Sequence, residues 1–178
     1  METKKTVVIN LFAGPGSGKS TFCASIFAEL KWKGVECEMA LEYAKDRVWE
    51  GSNNVLENQL YVFGKQQHRM FRLNGKVDVI VTDSPLLNSI IYDVKNDEHF
   101  RTVILNEHNK YENMNFFIKR AKPYQSKGRL QTEDEAKSLD IDIRTMLSNY
   151  GVSFEEILGV PENSKVIVDK ILNKLHLI

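Results

Sequence analysis

The chain has 178 residues, 42% of them hydrophobic and 27% charged, with 24 basic against 24 acidic side chains and no formal net charge. At roughly 100–200 residues per domain this predicts one domain over 1–178, and the balanced charge excludes the large basic excess of a non-specific nucleic-acid binder. No apolar run approaches the roughly 18 residues that a membrane helix needs, so no membrane partner is expected.

Val7 to Phe12 is a short apolar run rich in β-branched residues and predicts a buried strand. Phe22, Ile26, Phe27 and Leu30 then mark one face of a helix over Ser20 to Lys33, with Gly34 as its stop. Val35 to Leu41 reads as the second strand, and Tyr43 to Glu50 as a short helix. After the turn cluster Gly51 to Asn54, Leu56, Leu60, Phe63 and Met70 carry a helical face up to Asn74-Gly75. Val77 to Val81 is the third strand, and helical segments follow Pro85 and cover His99 to Asn109. Asn115 to Ile118 is the fourth strand. A polar, basic lid of about 119–132 comes next. Thr132 and Glu135 then form a T-x-x-E capping box ahead of a helix to about Asn149. Val152 to Phe154 reads as a fifth strand and Glu162 to Leu175 as a closing helix. Strands alternating with helices imply an α/β fold of three layers, a parallel sheet covered on both faces. Ligands of such a sheet sit at the carboxyl ends of its strands.

The charged N-terminal residues lead straight into a strand and a glycine-rich loop, unlike a secretory signal. Cys23 and Cys37 show neither metal nor C-x-x-C spacing. Two reduced thiols and a cytoplasmic location are the expectation.

The loop Ala13-Gly14-Pro15-Gly16-Ser17-Gly18-Lys19-Ser20, followed by Thr21, fits the Walker A pattern with Ala13 in first position. Small residues let backbone N–H groups turn inward around a phosphate chain. Lys19 supplies charge to the β- and γ-phosphates, and the Ser20 hydroxyl ligates Mg²⁺. A strand before the loop and a helix after it add the helix's positive end. ATP with Mg²⁺ is the expected cofactor. Val77 to Asp83 is an apolar strand ending in a carboxylate, and Asp83 is the second expected metal residue.

Glu42 ends the second strand, where a carboxylate can face the γ-phosphate and take the proton of an acceptor hydroxyl. Asp46 competes for that role, and a plain surface glutamate is the other reading. Lys65, Arg69, Arg72 and Lys76 are spaced 4, 3, 4, which on a helix makes one basic face. It reads as a solvated face or as a rail for a phosphorylated acceptor or a nucleic-acid backbone. Lys119, Arg120, Lys122, Lys127 and Arg129 surround Pro123-Tyr124 and Gly128. Arg120 and Arg129 are the candidates for neutralising charge as a phosphoryl group moves. His68, His99 and His108 have no metal-ligand spacing and read as surface residues. Trp32 and Trp49 read either as half-buried core or as a base-stacking surface.

The phosphate loop, Glu42-Tyr43, Thr82-Asp83-Ser84-Pro85 and the basic lid together resemble the nucleoside and nucleotide kinase branch of P-loop proteins. The sequence is similar to the ATP-binding domain of ribosylnicotinamide kinases. It is also similar to small phage-encoded P-loop kinases that phosphorylate hydroxymethyluracil in DNA. The resemblance implies a five-stranded sheet of order 2-3-1-4-5, ATP-Mg²⁺ as donor, and a lid after the fourth strand. It places the base at Glu42. Deoxynucleoside kinases carry an Asp/Glu-Arg-Ser motif where this chain has Asp83-Ser84-Pro85, so the arginine is missing. A phage source would make the location the host cytoplasm.

The expected function is γ-phosphoryl transfer from ATP to a hydroxyl, leaning to a hydroxymethylated pyrimidine base in phage DNA. The alternative acceptor is a small nucleoside, nucleotide or nicotinamide riboside. A P-loop ATPase that transfers no phosphate is the further alternative. A GTPase would show DxxG and N/TKxD motifs, an ABC ATPase an LSGGQ signature, and an AAA+ motor a further helical domain.

Overall fold

A computed structural model describes residues 5–125, 127 and 130–177. The sheet has five strands in the order β2-β3-β1-β4-β5. They are β1 (Val7–Phe12), β2 (Cys37–Met39), β3 (Val79–Thr82), β4 (Glu112–Lys119) and β5 (Glu155–Leu158). Every pairing is parallel. The helices are α1 (Lys19–Trp32), α2 (Tyr43–Trp49), α3 (Gln59–Phe71), α4 (Asn88–Tyr92), α5 (Glu98–His108), α6 (Glu133–Asn149) and α7 (Asn163–Lys174). A 3-10 turn, Asn53–Glu57, precedes α3. The three-layer α/β architecture and its strand order match the expectation.

All six residues of β1 are buried, as a central strand covered on both faces requires. Its one polar residue, Asn10, donates to Asn113 Oδ1 at 2.9 Å and Asn115 Oδ1 at 3.0 Å on β4. Asn113 in turn donates to the His108 carbonyl, and Asn115 to that of Ser153. Phe22, Cys23, Ile26 and Leu30 form the buried stripe of α1, which packs on Ile167, Val168 and Ile171 of α7 and on the sheet. The capping box is present, with the Thr132 amide donating to Glu135 Oε2 at 2.7 Å and the Glu135 amide returning to Thr132 Oγ1 at 3.3 Å.

Four expectations change. The fifth strand lies at Glu155–Leu158, not 152–154, because the Val152 amide still belongs to the end of α6, donating to Leu147 O. Gly151, at φ 63°, turns the chain there. The strand itself is solvated: Glu155 pairs with Lys170, and Glu156 with Arg144 and Lys119. The helix expected from Leu56 to Gly75 is split into the 3-10 turn and α3, and α3 ends at Phe71. Lys76 therefore leaves the basic face, and Arg69 bends to Asp46 at 2.5 Å and to the Leu41 carbonyl at 2.8 Å. Trp32 and Trp49 are not core, at 88% and 60% exposure.

His108 is buried, at 5% exposure, where a surface residue was expected. Burial pushes its pKa down to about 4. The unfolded chain then takes up a proton near pH 6.5 that the folded chain refuses until about pH 4. Stability from this residue is full above pH 6.5 and falls as pH drops toward 4. Urea unfolding between pH 7 and 4 should show that slope, and His108→Gln should flatten it. An unchanged slope in the variant would refute the assignment.

Candidate active site

The carboxyl end of β1 delivers the chain at Ala13 into the loop, and α1 opens at Lys19. Gly16 and Gly18 hold φ of 78° and 97°, the left-handed region that glycine enters without strain. Gly18 is the N-cap of α1, and no side chain caps the helix. Its first-turn amides thus face the loop as donors for an anion. Lys19 Nζ donates to the carbonyls of Ala13 at 2.7 Å and Gly14 at 3.1 Å. Burial lowers its pKa, while the carboxylates of Glu42, Asp83 and Asp140 pull it back up. The cation is therefore ringed by acids.

Asp83 follows β3 at its carboxyl end and is itself buried. Its Oδ2 accepts the Ser20 hydroxyl at 2.5 Å, and its Oδ1 accepts the Glu42 amide at 3.0 Å. One carboxylate thus joins the phosphate-loop helix to the start of α2. Ser20 and Asp83 put two hard oxygen donors at one point beside the loop. That fits Mg²⁺, which takes one or two protein oxygens and fills its octahedron with water and phosphate.

Glu42, the N-cap residue of α2, lines a cavity of about 830 Å³ that opens directly from the phosphate loop. Lys19, Ser20 and Asp83 line the same space. Its far wall comes from Val48, Leu56, Val62, Asn88 and Tyr92. Gln66, buried on α3, holds this wall in place. Its Oε1 accepts the Tyr43 amide at 3.0 Å and its Nε2 donates to the Ala40 carbonyl at 3.3 Å. The Tyr92 hydroxyl has a raised pKa, from burial first and the Glu42 charge second. Asp46, the other candidate base, is engaged by Arg69.

On the opposite side the lid stem meets the loop. Arg120 Nε donates to Asp140 Oδ2 at 2.7 Å, Nη1 to the Pro15 carbonyl at 2.6 Å, and Nη2 to the Ala136 carbonyl at 3.0 Å. The Tyr124 ring lies where a Cβ on Gly16 would be, at 2.7 Å. Arg129 lies outside the described residues. Asp140 is the site residue that the sequence did not signal. It is an acid in mid-helix, and nothing local separates it from the solvated acids of the same helix.

Comparison with solved structures places the fold beside deoxyadenosine kinase from M. mycoides. One structure of that enzyme, with dCMP and dCDP bound, matches at TM-score 0.51 and 19% identity over 96% of this chain and 100% of that one. Another, with dATP bound, matches at TM-score 0.50 and 20% identity over 95% and 99%. At these identities the likeness is one of fold. No curated protein matches the chain. The model of the AAA_28 family, described as an AAA domain, matches residues 8–162, from β1 through the loop after β5. With a family model spanning the sheet, the phosphate loop and the lid stem, the chain belongs to the AAA_28 family of AAA domains.

Proposed function

We propose that the chain is a phosphotransferase that moves the γ-phosphoryl group of ATP-Mg²⁺ to a hydroxyl of a nucleoside or nucleotide. The observation that carries this is the single cavity of about 830 Å³ in which Lys19, Ser20, Asp83 and Glu42 meet. A plain ATPase needs room only for a water beyond the γ-phosphate. This cavity, at the several-hundred-Å³ size usual for small-molecule sites, has room for a second molecule. The enzyme of similar fold is a deoxyadenosine kinase with dCMP, dCDP or dATP bound, which supports the same acceptor class.

The loop amides of Gly16, Ser17 and Gly18 cradle the phosphate chain together with Lys19. Ser20 and Asp83 would hold Mg²⁺, which when bound offsets charge between the β- and γ-phosphates. Glu42 orients the acceptor hydroxyl and takes its proton. Catalysis is then positioning plus charge stabilisation. A separate small cleft at the α1 N-terminus, lined by Gly18, Thr21, Ser25, Lys122, Gly159 and Ser164 among others, is the place we assign to the donor base.

The acceptor side favours a small molecule over DNA. The lining carries Glu42, Glu57 and Asp83 against Lys19 and Lys45, which does not attract a phosphodiester backbone. The basic face expected on α3 is broken, with Arg69 neutralised by Asp46. The test follows label from γ-³²P-ATP into nucleosides, nucleotides, nicotinamide riboside, plain DNA and hydroxymethyluracil DNA. Label in a nucleoside or nucleotide is expected. Label in DNA would reverse the choice of acceptor, and label only in free phosphate would overturn the transferase reading.

A further inference from the structure

Asp140 meets the phosphate loop from behind. It sits on α6, 8% exposed, and both its oxygens are used. Oδ1 accepts the Gly14 amide at 2.6 Å, and Oδ2 accepts Arg120 Nε at 2.7 Å. Arg120 closes the circuit by donating to the carbonyl of the next loop residue, Pro15, at 2.6 Å. Its third contact, the Ala136 carbonyl, lies one turn before Asp140 on the same helix. The loop comes so close that a Cβ on Gly14 would lie 2.4 Å from that carbonyl. Two successive residues of the loop are therefore gripped, Gly14 through its N–H and Pro15 through its C=O. The grip is a charge pair held out of water.

We infer that Asp140 is a positioning residue for nucleotide binding. With Arg120 as its counter-ion it fixes the first half of the phosphate loop, so that the amides beyond it already point at the phosphate chain. The inference rests on the reading of the Ala13–Ser20 loop as an ATP-phosphate site. It gives Arg120 a different role from closing over the γ-phosphate: its donors are committed to Asp140, Pro15 and Ala136. An amide that must be ordered on binding costs affinity, and one already ordered does not. A loop freed on one side thus loses ATP affinity while the reacting groups stay intact.

The test is a double-mutant cycle read by calorimetric MgATP binding and by kcat at saturating ATP. Asp140→Asn and Arg120→Gln should each weaken MgATP binding by about tenfold, as expected for a lost charged hydrogen bond. Each should leave kcat within about twofold, because the transferring groups are untouched. The double variant should be no weaker than the worse single one, since the two residues act as one unit. Penalties that multiply, or an Arg120→Gln variant that loses kcat while Asp140→Asn binds MgATP normally, would overturn the pair's role. Should Asp140→Asn lose its cooperative melting transition, Asp140→Glu takes its place. It keeps the charge on a longer stem and is expected to show the same affinity loss, with unchanged affinity counting against the proposal. Wild-type protein that binds no MgATP would refute the nucleotide reading itself, a result the variants are not needed to see.

Discussion

Lys19→Ala should reduce phosphoryl transfer by about 10²–10³-fold, the usual cost of removing one preorganised charge-stabilising donor, while the chain stays folded. The ammonium bridges the carbonyls of Ala13 and Gly14, so it both shapes the loop and carries its charge. Without it Glu42 and Asp83 face the phosphate site with no cation between them, Asp140 being paired with Arg120, and a polyphosphate meets repulsion. The fold should tolerate the change, because burial of this lysine already works against its charged form. Single-turnover transfer and a thermal melt check both halves. Full turnover by the variant would show that the chemistry lies elsewhere.

Glu42→Gln should separate chemistry from binding. Its backbone amide remains available to Asp83, so the joint between α1 and α2 survives the substitution. The side chain keeps its size and loses its charge and its ability to take a proton. Loss of transfer by about 10²–10⁴-fold is expected, the range for a positioned general base, with MgATP binding kept. Normal transfer would move the base to Asp83 or Asp46. Asp46 would first have to leave Arg69.

The layer order and the phosphate loop were legible because each rests on local signals. An apolar β-branched run, a glycine-rich loop and a 3–4 apolar stripe all fall within about 25 residues, Val7 to Trp32. The meeting of Ser20 with Asp83 was legible for the same reason, each lying at the end of a recognisable strand or the start of a helix. The contact of Asp140 was not, because it exists only where α6 meets the loop, 126 residues from Gly14. The α3 basic face was misread because spacing alone does not show where a helix ends or which arginine turns inward. β5 was misplaced because an edge strand with paired glutamates lacks the apolar signature of a buried one. His108 was misread because its burial comes from the return of the chain into β4, which no local pattern reports.

The bonds from Asn10 of β1 to the asparagines of β4 have a consequence for how the chain is made. β1 needs Val79–Thr82 on one side and Glu112–Phe117 on the other. At ribosomal speeds of about 5–20 residues per second, it waits on the order of 5–20 s for its second neighbour. An uninterrupted apolar β-run exposed for that long is an aggregation hazard, and a polar residue in its middle is a gatekeeper against it. Asn10 also enforces the correct partner when β4 arrives. Directly opposite Asn115, it is satisfied. In a pairing slipped by two residues so that it faced Phe117, its amide would be buried against an apolar side chain, at a cost of about 1–3 kcal/mol. The residue that makes the nascent strand less adhesive is thus also the one that proofreads its final register.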